Sequence, residues 1–234
     1  MRKYLIVAIA ALTAVAFATV AIAQAPEATM DVTVTPKKAG KKKKAKNSQI
    51  RLEIENQDTS RTMSELTITS PKTVKLSTRG LTQCDATTLE NEGPSGCPRA
   101  SRVGKGTASA LLGVNTANPS PLTFDVVAVV TGRRNIGFHL AAREIPTVVL
   151  APGTLSGRKL TIEVPDAAQQ PVPGTYAGLV SLEATLKAKE GKRTLVSTTD
   201  CKRKKHAYST VLTFVDNGVS PAGTVTAKAT SACR

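Results

Sequence analysis

Three kinds of side chain in this sequence could do chemistry: thiols, imidazoles and a dense set of amines. The thiols are Cys84, Cys97, Cys201 and Cys233. In pairs they would form disulfides, remain as buried free thiols or hold a metal. The imidazoles are His139, in an alternating apolar run, and His206, just after Lys202, Arg203, Lys204 and Lys205. Neither has a serine or cysteine partner in a nucleophile motif, and neither H-E-x-x-H nor G-x-S-x-G occurs. Gly104-Lys105-Gly106-Thr107 has a faint phosphate-loop look, but the spacing needs a glycine where Arg99 stands. Two glycines opening a strand explain it better. Asp216-Asn217-Gly218 has too few oxygen ligands for a calcium loop and reads as a turn.

The amines are the strongest signal. The chain carries a formal net charge of +15. Lys37, Lys38, Lys41, Lys42, Lys43, Lys44 and Lys46 fall in one short block without an acid. A second set, Lys202, Arg203, Lys204 and Lys205, follows Lys187, Lys189, Lys192 and Arg193. Such blocks are solvated and self-repelling, and they attract anionic polymers or lipid headgroups. Aromatics make up 3% of the chain and tryptophan is absent. That argues against nucleic acid and against sugar platforms, since both stack on aromatic rings.

The elements that position these groups read as β. Ile50, Leu52 and Ile54 alternate with Arg51, Glu53 and Glu55. Val180, Leu182, Ala184, Leu186 and Ala188 alternate with polar residues, as do Val225, Ala227 and Ala229. Period two gives one buried face and one wet face. Turn residues recur every eight to twelve positions and no long 3.6-residue period appears. The expected fold is all-β: an antiparallel β-sandwich, Ig-like or jelly-roll-like. One short helix is expected over Ala86–Glu92 in the Cys84–Cys97 loop, capped by Asp85 and stopped at Gly93-Pro94. Asp31–Thr35 alternates and could be a first strand.

Arg2 and Lys3, the apolar run Leu5–Val20 and Ala21-Ile22-Ala23 form the pattern of a secretory signal, so the mature chain is expected to begin near Gln24. The expected organisation is a signal peptide over 1–23, a flexible basic segment over 24–48 and a β-sandwich over 49–234, with a candidate sub-boundary at 113–121. Four cysteines in an exported chain point to two disulfides. Three pairings are open; Cys84–Cys97 with Cys201–Cys233 keeps each bridge within a local unit.

Several segments together carry a family likeness. They are Cys84, Gly93-Pro94, Cys97-Pro98 and Ser101–Ala108, then Pro121–Phe124, Val149–Gly157, Pro173–Tyr176 and Cys201. The chain resembles, over about residues 50 to 234, a group of secreted Ala/Thr-rich β-proteins of actinobacterial type with no assigned activity. The resemblance implies export, disulfides and a β-sandwich, and it supplies no catalytic residues. The expected function is therefore a secreted, non-enzymatic envelope or extracellular protein, structural or adhesive, without a cofactor. The basic clusters would hold it to anionic envelope polymers or lipid headgroups. The alternative is a secreted sandwich hydrolase using carboxylates.

Overall fold

The computed structural model describes residues 27–41 and 43–234. The segment read as a secretory signal, with Gln24 as the expected mature start, and Lys42 lie outside the described residues. In chain order the strands are β1 Ala28–Thr35, β2 Lys46–Asn47, β3 Gln49–Asn56, β4 Thr62–Thr69 and β5 Val74–Leu76. After helix α1, Ala86–Gly96, come β6 Arg102–Leu112, β7 Ser120–Val130, β8 Asn135–Ala142, β9 Val148–Ser156 and β10 Lys159–Glu163. A single turn of helix, α2 Asp166–Gln169, leads to β11 Ala177–Leu186, β12 Lys189–Glu190, β13 Arg193–Thr194 and β14 Val196–Thr198. The last two strands are β15 Lys205–Val215 and β16 Gly223–Ala232.

The all-β, antiparallel expectation holds, with the main strands in one sheet that curls on itself where the two sheets of a sandwich are expected. Eleven strands form one antiparallel sheet in the order β1-β3-β11-β6-β7-β8-β9-β10-β4-β15-β16. The sheet curls until β1 lies beside β16, giving a nearly closed barrel. Across this seam the Val34 amide donates to the Ser231 hydroxyl at 2.9 Å. Alternation decides what faces inward. β3 buries Ile50, Leu52 and Ile54 and exposes Arg51, Glu53 and Glu55. β15 buries His206, Tyr208, Thr210, Leu212 and Phe214. These faces join one continuous apolar core. A three-stranded sheet, β2-β14-β5, lies across one end of the barrel, between connections that leave the main strands there.

Two expectations need correction. The segment 24–48 is expected to be flexible and basic apart from a candidate strand at Asp31–Thr35; that strand is present and longer, and the chain is in the sheet from Ala28. β1 pairs with β3 from Ala28↔Asn56 to Thr35↔Gln49. It buries Ala28, Met30, Val32 and Val34, so burial of an alternating face outweighs the solvation of the lysines that follow. The lysines themselves form a tight turn in which Lys41 and Lys44 exchange backbone hydrogen bonds at 2.9 and 2.8 Å. The candidate boundary at 113–121 is a connection within the sheet: β6 and β7 pair across it from Leu112↔Ser120 to Arg102↔Val129.

The Cys84–Cys97 unit forms as expected and is bridged. Asp85 caps α1, accepting from the Thr88 amide at 3.1 Å. The first helical segment breaks at Gly93, where φ is 66°, and Pro94 opens a further turn. This unit sits outside the barrel. Leu89, fully buried, packs with Val129 and the disulfide. Val129 points away from the main core, and α1 shields it from solvent. Ala128, Val129 and Val130 are therefore all buried although they alternate sides.

Candidate anion-binding surface

The ladder registers sort the connections into two ends. One end holds the turn between β1 and β3, the segment 70–79, the β7–β8 and β9–β10 turns, and the stretch from β11 to β15. Nearly all the sequence-predicted basic residues are there. The turn of Lys37, Lys38, Lys41, Lys43, Lys44 and Lys46 comes against the end of β16. The Arg234 amide donates to the Lys37 carbonyl, and the Ala39 amide donates to the Arg234 carbonyl, each at 2.9 Å. The Cys233 amide donates to the Lys204 carbonyl at 3.0 Å. Cys201–Cys233 ties the start of the second cluster to the same strand end. Two lysine-rich segments far apart in sequence are thus neighbours in space. Lys37, Lys38, Lys41, Lys43, Lys44, Arg203, Lys204 and Lys205 are exposed, and Lys46 is half-buried.

Sequence reading missed further members of this end. Lys72 and Lys75 flank and occupy β5, exposed, and β5 pairs with β14, which pairs with β2. Arg79, Arg133, Arg134 and Arg158 lie on exposed turns beside them. No long basic run announces these residues; the β5-β14-β2 pairing brings in Lys72 and Lys75, and the consecutive hairpins β7-β8 and β9-β10 bring their arginine turns to the same end. Among the described residues, none of the lysines and arginines of this end forms an ion pair. The ion pairs seen use Arg51, Arg61 and Arg143.

The opposite end differs. Among the described residues it carries Glu27, Asp58, Glu144, Asp166 and Asp216 with only Arg61 and Arg143, whereas at the basic end Glu190 and Asp200 are far outnumbered by lysine and arginine. Its arginines are engaged: Arg61 pairs with Glu27 and Asp58, and Arg143 pairs with Asp125. Arg61 also lies over the Phe214 ring at 4.8 Å. The molecule is therefore polarised along the barrel, and the basic end is the source of its positive field.

Two cavities bear on chemistry. One lies inside the barrel, lined by apolar side chains such as Leu52, Ala108, Phe124, Ala151 and Ala184. The other is a cleft at the basic end, lined by Arg79, Arg133 and Arg134 with Ser77, Thr78 and Asn135. No carboxylate lines either cavity. Among the described residues no group of three or more His, Cys, Asp or Glu is placed to hold a metal. Nor, among them, is any helix long and apolar enough to cross a membrane.

His206 and His139 are not brought together by the fold; they lie on β15 and β8. His206 is buried, with Nδ1 2.8 Å from the Thr73 hydroxyl. Burial holds its pKa below the ordinary 6.5, against a smaller opposing pull from Asp200. Burial likewise lowers the pKa of His139, partly offset by a backbone hydrogen bond. The sign follows from proton uptake. Between the folded pKa and about 6.5, the unfolded chain binds more protons than the folded chain. The contribution to stability is complete above about pH 6.5 and is lost as pH falls through the folded value. Urea midpoints measured from pH 8 to pH 4 should therefore decline below about 6.5. In His206→Gln that decline should be shallower. Equal slopes in the two proteins would remove His206 from the account.

No protein-family model matches the sequence, and no curated protein matches it. The functional reading rests on the site.

Proposed function

We propose that this chain is an exported, non-enzymatic surface protein, held on anionic envelope polymers or lipid headgroups by the basic end of its barrel. The observation that carries the reading is the convergence of the Lys37–Lys46 turn and the Lys204–Lys205 strand start around Arg234. Among the described residues, cations without an ion-pair partner outnumber acids at one end and acids outnumber cations at the other, and such an asymmetry orients a molecule toward an anionic surface and raises its encounter rate. Export is supported by the signal-like first 23 residues and by the resemblance to secreted Ala/Thr-rich β-proteins, and two disulfides fit an oxidising compartment.

Each lysine near an anionic membrane adds about 1 kcal/mol. Replacing Lys41, Lys43 and Lys44 by Gln should then weaken binding to phosphatidylglycerol vesicles on the order of 100-fold. Neutral vesicles should not bind. A soluble anionic polymer as competitor separates polymer from headgroup as the preferred partner. Raising the salt to 1 M shortens the Debye length from about 8 Å to about 3 Å and should release the protein. Because these side chains are exposed, melting temperature should stay the same. Lys204→Gln with Lys205→Gln should act in the same direction, since both sets share one surface. Salt-independent retention, or retention indifferent to both sets, would show that the charge serves solubility alone.

A further inference from the structure

The cations of the basic end are not chemically uniform. The rim is mostly lysine, whereas the cleft beside it is lined by arginine alone among its cations. Three connections build this cleft: the chain leaving β5, the β7–β8 turn and the β9–β10 turn. Their positions are fixed by hydrogen bonds that leave the guanidinium groups unused. The buried Thr78 hydroxyl donates to the Arg133 carbonyl at 2.6 Å. The Leu155 amide donates to the Arg134 carbonyl at 2.7 Å, and the Leu81 amide to the Thr78 carbonyl at 3.1 Å. A fourth guanidinium stands close by: the Arg193 side chain lies over Gly80, the residue after Arg79.

We infer that this cleft is a binding site for a terminal phosphate (phosphomonoester) group of an anionic polymer or headgroup at the basic end. This deepens the surface-binding reading and rests on it for the partner's identity. Three like charges gathered in one cleft without an acid repel one another, and a bound anion relieves that repulsion. A lysine ammonium offers a point charge, whereas a guanidinium offers a planar fork of donors that fits two oxygens at once. A carboxylate has two oxygens and one charge, so it saturates one fork. A phosphate has more oxygens and up to two charges, and it can engage several forks from different walls. The cleft encloses about 590 Å³, within the roughly 300–1,000 Å³ usual for small-molecule sites. That leaves room for the ester group of a phosphomonoester, which keeps three free oxygens and up to two charges.

The test is a calorimetric titration of the mature protein with inorganic phosphate in a low-ionic-strength chloride buffer. One saturable site is expected, with acetate at the same ionic strength binding at least about tenfold more weakly. Arg133→Gln with Arg134→Gln should reduce phosphate affinity by at least about tenfold, and Arg79→Gln should do so independently. These exposed side chains hold the fold only through their backbones, so an unchanged melting temperature is expected to accompany the loss. Lys41→Gln, Lys43→Gln and Lys44→Gln together should leave phosphate affinity within about twofold, since screening limits the reach of exposed charges. Absence of saturation, equal binding of acetate, or equal losses from the lysine and arginine sets would each overturn the cleft as a phosphate site. Salt-sensitive vesicle retention without phosphate saturation overturns the cleft and leaves the surface reading standing. Phosphate saturation without vesicle retention does the reverse.

Discussion

Gly106→Ala should cost more than about 4 kcal/mol, placing it among the severe single substitutions. Gly106 sits on β6 opposite Ala184 of β11. A β-carbon there would run into the Glu183 carbonyl oxygen and lie 2.8 Å from the Ala184 Cα. Both obstacles are backbone, which cannot rotate aside as a side chain can. Strand β11 cannot retreat either, because it is hydrogen-bonded to β3 on its other edge. The substitution must therefore open one of two central ladders. Urea unfolding of the purified variant measures the loss, and Lys105→Ala is the control. Lys105 is exposed on the same strand, so that change should stay within about 0.5 kcal/mol. A Gly106→Ala protein within about 1 kcal/mol of the parent would mean that the strands separate more easily than this packing implies.

The second large effect is removal of the Cys201–Cys233 bridge. Its sequence separation is 32, and the chain-entropy relation gives roughly 3–4 kcal/mol for a loop of that length. Cys201→Ser with Cys233→Ser should lose about that much in urea unfolding at neutral pH. The Cys84–Cys97 separation is 13, so its removal should cost less, about 3 kcal/mol. The two losses differ in kind as well. The first bridge holds α1 against the outside of β8, away from the main core. The second fastens β15 to the end of β16, where the two lysine segments meet. Loss of that bridge should lower affinity for anionic vesicles even where the protein remains folded, because Lys204 and the Lys37 turn both hang on the last residues of β16. Unchanged affinity in the folded double variant would separate the bridge from the binding surface.

Much of this fold was legible where the information is local. The alternation in β3 and β16, the cap at Asp85, the break at Gly93 and both disulfides follow from neighbouring residues. The Asp216–Gly218 turn was legible as a turn, but its anchoring was not. Asn217 is buried because its amide donates to the Ser60 carbonyl at 2.7 Å and the Thr62 hydroxyl at 3.1 Å. The order of the sheet was illegible, since nothing near β3 says that β11 lies beside it. The site divides the same way. The lysine blocks stand out because repulsion makes contiguous charge conspicuous. Arg79 and the adjacent Arg133 and Arg134 stand in two separate turns, each unremarkable alone, and only the fold, through the Thr78 hydroxyl's bond to the Arg133 carbonyl, brings the two turns together.

That sheet order also governs the timing of assembly. Strand β3 finds one partner nearby, β1, but must wait for β11 to cover its other edge. Strand β4 waits for both β10 and β15. The seam between β1 and β16 can close only when the last strand arrives. Contacts of such long sequence separation make folding slow, because loop-closure entropy is lost before the contacts form. During that wait the early strands present open edges, the usual template for joining a second chain. Strand β3 meets the hazard with its outer face. Arg51, Glu53 and Glu55 carry mixed charge, and Arg51 later pairs with Glu53 and with Glu183 of β11. The same residues that lend the finished barrel a wet exterior act, in the unfinished one, as gatekeepers against aggregation.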